Sequence, residues 1–206
     1  AAALRETIRK QSCKSGLFYS DNALRKGGAL TVTDNTTEVC QYFAFYFGVA
    51  TPERDAELWR ALLDEFGPDR VKQGGHPSVP PANSFIGNML RMELLSRAGR
   101  PRQILDESVG YLKYMADRTG TLWENVQDNA SLNHGFASHA AVTFYRDILG
   151  LRRVDAVNRT VDILIPDVPL ERCAGTVPVG ADIVQLTWIR DGKKVRHPVN
   201  APAGWT

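Results

Sequence analysis

A carboxylate beside an indole, with a histidine ten residues later, is a grouping that could do acid–base or sugar-binding chemistry. The stretch "GTLWENVQDNASLNHGFASHAAVTFYRDILGL" runs from Gly120 to Leu151. It holds Trp123, Glu124, Asn125, Asn129, Asn133, His134 and His139 within 17 residues. Glu124 is a candidate catalytic carboxylate, although a lone loop glutamate more often simply faces solvent. Trp123 beside it could supply apolar surroundings that tune a carboxylate's pKa. His134 could hydrogen-bond a ligand hydroxyl, or be satisfied by backbone groups at a helix entry. The asparagines suit turns and caps as well as ligands, and His139 fits ordinary helix packing.

Two further segments have a similar mix. "TVTDNTTEVCQY" carries Asp34, Asn35 and Glu38; "GGHPSVPPANSFIGN" carries His76, Asn83, Phe85 and Asn88. Amides and carboxylates serve sugar hydroxyls, and aromatic faces serve the apolar side of the ring. Glu38 could equally cap its own helix. No metal-ligand spacing, nucleophile elbow or phosphate loop is present, so neither metal nor cofactor is expected.

The elements that must position these residues are read from apolar spacing. Six helical segments are predicted before residue 151, near 1–13, 37–47, 52–66, 83–98, 102–118 and 134–149. Thr51 and Pro52 suit the start of the third, Asp34 and Asn35 are natural caps for the second, and Gly48, Gly99, Gly120 and Gly150 suit helix ends. The sixth carries Phe136, Ala140, Phe144 and Ile148 on one face. Charge-rich segments alternate with apolar ones such as "VCQYFAFYF", and a helix apolar all round is an inner helix. The inner segments recur at about 46 and 51 residues, a two-helix period. Concentric rings of helices, an α/α toroid, fit this pattern better than a flat solenoid. All three polar segments precede inner helices and would line a common opening. After Leu151 the residues alternate apolar and polar, and Asp191-Gly192 signals a hairpin turn. A small antiparallel β unit is expected there, too thin to stand without packing on other material.

Composition narrows the classes. The 206 residues suffice for one large domain or two small ones, and the 43% hydrophobic and 23% charged fractions are those of an ordinary globular chain. A net charge of +2 gives no electrostatic argument for nucleic acid or membrane. Cys13, Cys40 and Cys173 are too few and too scattered for a disulfide framework or a zinc site; lying in or beside apolar runs they read as buried free thiols, with one bridge still allowed by the count. No apolar run reaches transmembrane length.

"GTLWEN" followed shortly by "SLNHGFASH" resembles the signature of bacterial α-L-rhamnosidases, family 78 of the glycoside hydrolases. "TEVCQYFAFYFGVATPE" with "LWRALLDEFGP", and "ANSFIGNMLRMELLSRAG" with "ILDESVGYLKYMADRTGTLWE", resemble the same family over residues 1–150. The β tail is similar to its C-terminal domain in position and style. The resemblance implies an (α/α)6 barrel and an inverting mechanism, in which an acid and a base stand ~6.5–9.5 Å apart to admit a water. It maps the general base onto Glu124 and the sugar-contacting histidine onto His134. Trp123, Glu38 and Asn83 complete the expected substrate-binding set. The family's general acid lies in an upstream Asp/Glu/Arg/Trp-rich loop that has no counterpart here, and six helices are half of the twelve required. The expectation is therefore a mainly α chain, with residues 1–151 the C-terminal half of the barrel and 152–206 part of a β-sandwich domain. Its partners would be the N-terminal domains of the same polypeptide and a rhamnose-containing carbohydrate, in a periplasmic or secreted setting. The competing readings are a non-catalytic carbohydrate-binding toroid and a related α/α-barrel hydrolase or lyase acting on another sugar.

Overall fold

The computed structural model describes residues 1–13, 16–70 and 74–206. Among them are six α-helices and three small antiparallel sheets. Helix α1 (Ala2–Ser12) buries none of its residues. Its Arg5 and Arg9 instead reach across to donate to the carbonyls of Phe47 and Gly48 (2.7 and 3.0 Å), at the end of α2. Those carbonyls lack partners within their own helix, and a guanidinium there satisfies both the hydrogen bond and the helix dipole.

A hairpin follows between the first two predicted helices, where no strand was expected. Strands β1 (Ala23–Lys26) and β2 (Ala29–Val32) pair in antiparallel register around Gly27-Gly28. Both glycines have positive φ, 54° and 85°, which a two-residue hairpin turn of this hand requires. Seven of the eight strand residues are exposed, so the hairpin has no apolar alternation by which to be read.

Helix α2 (Glu38–Tyr46) is capped by the Thr37 hydroxyl on the Cys40 N–H, not by Asp34 or Asn35. It buries Gln41, Tyr42 and Phe45, while Phe43 and Phe47 stay exposed. Helix α3 (Ala56–Asp64) begins later than the Thr51-Pro52 signal implied. The Asp55 carboxylate turns back to take the Thr51 N–H (2.9 Å), and the Asp55 N–H bonds the Thr51 carbonyl, closing residues 51–55 as a separate turn. Helix α4 (Phe85–Arg97) and helix α5 (Pro101–Thr119) lie near their predicted bounds; Pro101 opens α5 and Gly120, left-handed, closes it. The expected helix at 134–149 has three geometries in succession. A 3-10 turn (Gly135–Ser138) leads into α6 (His139–Thr143), which runs into a π turn (Phe144–Leu149).

The β unit has β3 (Leu151–Asp155) paired with β4 (Thr160–Ile163), and a second sheet of β5 (Arg172–Val179), β6 (Asp182–Asp191) and β7 (Lys194–Arg196), with β8 (Val199–Asn200) also on β6. Asp191-Gly192 makes the β6–β7 turn, as its sequence indicated. Strand β5 was not anticipated because it contains Gly175 and Pro178. It lies at a sheet edge, where proline is tolerated, and a side chain at Gly175 would strike Leu149 and Tyr145. Val184, Leu186 and Trp188 of β6 are fully buried in one apolar cluster with Leu58, Leu62, Leu94, Ile148 and Leu149. The Trp188 indole N–H donates to the Leu149 carbonyl at 3.0 Å. The β unit thus does pack on other material, namely the helices.

The helices meet at a buried arginine. Arg91 of α4, 3% exposed, donates to the Tyr42 hydroxyl of α2 (3.1 Å), to the Leu62 and Leu63 carbonyls of α3 (2.7 and 3.3 Å), and to Glu107 of α5 through two nitrogens. Burial alone would lower its pKa, but Tyr42 and Glu107 hold it above the usual value. Burial likewise keeps the Tyr42 phenol well above its ordinary pKa, hence neutral. Replacing Arg91 with Met leaves the Glu107 charge without its counter-ion and the buried Leu62 carbonyl without its side-chain donor, while Gln103 still donates to Leu63 and Glu107. Arg91→Met should lower unfolding free energy by about 3–5 kcal/mol, measured by urea melts; a loss under about 1 kcal/mol would show that the helices hold together without it.

Candidate functional site

Residues 121–134 leave α5 at Gly120 and return to the 3-10 turn as a loop closed on itself. The Glu124 N–H bonds the Ser131 carbonyl and the His134 N–H bonds the Leu122 carbonyl, both at 2.9 Å. The Asn125 side chain takes the Gln127 N–H at 2.8 Å, the turn role its residue type allows. The loop is then fastened to the segment before α4. The Phe85 N–H donates to the Glu124 carbonyl and the Val126 N–H to the Asn83 carbonyl (2.9 Å each), with a β-bridge between Ser84 and Asn125. The first polar segment is joined to the second in the same way, the Glu38 N–H donating to the Pro80 carbonyl at 3.0 Å, so backbone hydrogen bonds link all three segments picked out in the sequence.

Glu124 and His134 come together. One carboxylate oxygen receives the Ser131 N–H at 3.4 Å and stands 3.9 Å from His134 Nδ1. That separation is an ion-pair distance, too long for a direct hydrogen bond. The Glu124 side chain is 42% exposed, against 22% for His134. The imidazole lies against the Phe85 ring with centroids 4.4 Å apart, and Phe136 stacks on Phe85 at 5.8 Å. Among the described residues His134 Nε2 is buried and has no hydrogen-bond partner, and Nδ1 is the nitrogen that faces Glu124. A half-open carboxylate next to an imidazole, walled by rings, can orient a water or a hydroxyl and offers an apolar surface beside it.

Trp123, expected to line the sugar site, is turned the other way. Its indole is 3% exposed among Met92, Tyr111, Leu112, Met115 and Ala140, and its N–H donates to Thr119 at 2.7 Å. A large apolar ring with one polar atom gains most where the ring is enclosed and that atom is bonded. Glu38, also expected at the ligand, is 1% exposed. Its carboxylate pairs with buried Arg70 (3.0 Å), accepts the Gly67 N–H (3.1 Å) and bonds the Tyr42 hydroxyl. None of these partners belongs to the 121–134 loop, and a buried charge is held by its counter-charge rather than offered to solvent. Asn83 is exposed beside the loop, its carbonyl shared by Val126 and the Tyr111 hydroxyl.

Other candidates have structural work. His76 bonds Glu65 at 2.7 Å, which draws the Glu65 carboxyl below its usual pKa. His139 bonds Glu93 at 3.0 Å, and Arg146 shares that carboxylate. Sequence reasoning placed Phe136 on a buried helix face, yet it is 73% exposed. Among the described residues no three His, Cys, Asp or Glu side chains converge in a way that could hold a metal ion, no helix is long and apolar enough to cross a membrane, and the three cysteines are free.

No protein-family model matches the chain, and no curated protein does. Among solved structures, a GH78-family rhamnosidase of Bacillus sp. GL1 superposes over 98% of this chain with a TM-score of 0.79 at 23% identity. The chain spans only 21% of that enzyme's length. The two share a fold over this segment, helices and small sheets together.

The division between Trp123 and Glu124 can be tested by stability. Trp123→Ala removes a buried indole and should cost about 3–5 kcal/mol. That corresponds to a Tm roughly 6–20 °C lower in a chain of this size, read by thermal melts. A shift under about 2 °C would mean that the indole is not a structural anchor.

Proposed function

We propose that the chain carries the general base of an inverting α-L-rhamnosidase, with Glu124 as that base and His134 as a sugar contact. The observation that supports this most is the pairing of half-open Glu124 with His134, on a loop fastened by backbone bonds to the start of α4. The likeness in fold to a solved GH78-family rhamnosidase adds to it. On this reading the six helices are half of an (α/α)6 toroid, and the general acid belongs to the rest of the same polypeptide. Glu124 takes a proton from a water on one face of the sugar, and that water attacks the anomeric carbon. The acid, on the opposite face, protonates the leaving oxygen, and the product anomer is inverted. His134 orients the ring. Asn83, beside the loop, hydrogen-bonds a sugar hydroxyl. The ligand is a rhamnose-containing carbohydrate.

Glu124→Gln in the complete polypeptide should lower kcat on an aryl α-L-rhamnoside by about 10²–10⁴ with little change in KM, because the lost interaction acts in the transition state. With Glu124→Ala, which vacates the base side, added azide should restore turnover and give the β-L-rhamnosyl azide. Turnover within a few-fold of wild type would overturn the assignment. Residues 1–206 alone should leave the same substrate intact, since a base without its acid cannot protonate the leaving group; measurable hydrolysis by this segment would place both carboxyls within it.

A further inference from the structure

Phe136 is the most exposed aromatic ring adjoining the Glu124–His134 pair, at 73%. It is not a loosely placed side chain. Its ring stacks on Phe85 at 5.8 Å with an interplanar angle of 24°, and meets the His134 ring edge-on at 5.6 Å and 62°. Phe85 is in turn against His134 at 4.4 Å. Three rings from two different segments thus form one wall. Its inner ring shares a histidine with the carboxylate, and its outer ring presents an open face. A rigid apolar face next to a carboxylate and an imidazole is the arrangement that binds a sugar ring, whose C–H groups lie on one side and whose hydroxyls radiate from the rim. A purely apolar partner would leave Glu124 desolvated against it, which is unfavourable.

We propose that Phe136 is a specificity-determining residue, its ring taking the C–H face and C6 methyl of a 6-deoxyhexose whose hydroxyls reach Glu124 and His134. This rests on the reading of Glu124 and His134 as a carbohydrate site and adds the residue that selects the sugar. A 6-deoxyhexose has a methyl where a hexose has a hydroxymethyl group, so it lays more apolar surface on an aromatic face, which gives a modest preference for the former.

The test is steady-state hydrolysis of aryl α-L-rhamnoside and aryl α-L-mannoside, which differ only at C6, by the complete polypeptide. Phe136→Ala should raise KM for the rhamnoside roughly tenfold and narrow its advantage over the mannoside. Phe136→Tyr, which keeps the ring face, should stay within about twofold of wild type, and Phe136→Leu, apolar without a ring, should fall near Ala. Thermal melts of each variant distinguish a loss of fold from a loss of sugar preference. If Glu124→Gln abolishes turnover while Phe136→Ala leaves KM and the sugar preference unchanged, the Phe136 inference is wrong and the carbohydrate reading stands. If neither substitution affects hydrolysis, or wild type cleaves neither glycoside, both are overturned. A Phe136→Ala variant that loses stability or association instead of sugar preference also overturns the inference, and marks the ring as a protein–protein contact.

Discussion

One guanidinium fixes the relative placement of four helices. Arg91 sits in the middle of α4 and is bonded to α2, α3 and α5 at once. Its contacts with Leu62 and Leu63 satisfy carbonyls at the end of α3, where the helix leaves them without partners. Its bidentate pair with Glu107 neutralises a charge that would otherwise be too costly to bury. The network continues from Tyr42 to Glu38 and from Glu38 to Arg70, whose remaining donors reach the Val79 and His76 carbonyls at 2.7 and 3.0 Å. Gly67 closes over it. A Cβ there would lie 2.7 Å from the Arg91 guanidinium, and the backbone φ is 115°. The same constraint that orders the helices therefore decides that Glu38 is an internal counter-ion.

The candidate site inherits its position from this arrangement. Glu124 is held by the segment that leads into α4, and α4 is held by Arg91. Seven residues and about 10 Å of helix separate the Ser84 cap from Arg91 at 1.5 Å per residue. The placement of the carboxylate thus depends on an ordered helix as well as on the loop's own backbone bonds, the side-chain contact with the Ser131 N–H being long. A functional group on a loop is placed well only where the loop is tied to such an element.

Much of the helical layout was legible because apolar spacing survives in α2, α4 and α5, and because Gly120 and Gly150 mark true ends. The hairpin was not, since Ala23–Val32 has no buried face to impose a period of two. Phe136 was misjudged for a different reason. The spacing 136, 140, 144, 148 lies on one face only if a single α-helix spans it. Here a 3-10 turn precedes α6 and a π turn follows it, so the first residue rotates out of register while Ala140 and Ile148 remain buried. Nothing in its local sequence marks Arg91 as buried; only its neighbours, remote in sequence, enclose it. At the site, the residue types around Glu124 and His134 were informative, but which of them point inward depended on the backbone path.

That path explains the Trp-Glu pair. The chain around residues 123–126 runs alongside Asn83–Phe85 as a short bridge, and consecutive side chains in such a segment point to opposite sides. Trp123 goes down into Met92, Met115 and Ala140; Glu124 comes up beside His134. Adjacent residues are required because the anchor and the carboxylate must belong to one rigid stretch of backbone. A separation by one further residue would put both on the same side, burying the acid or exposing the indole. The indole N–H bond to Thr119 ties the same stretch to the last turn of α5. The "WE" dipeptide is therefore best understood as a support and the group it supports, with the tryptophan acting on the carboxylate by placing it and not by enclosing it.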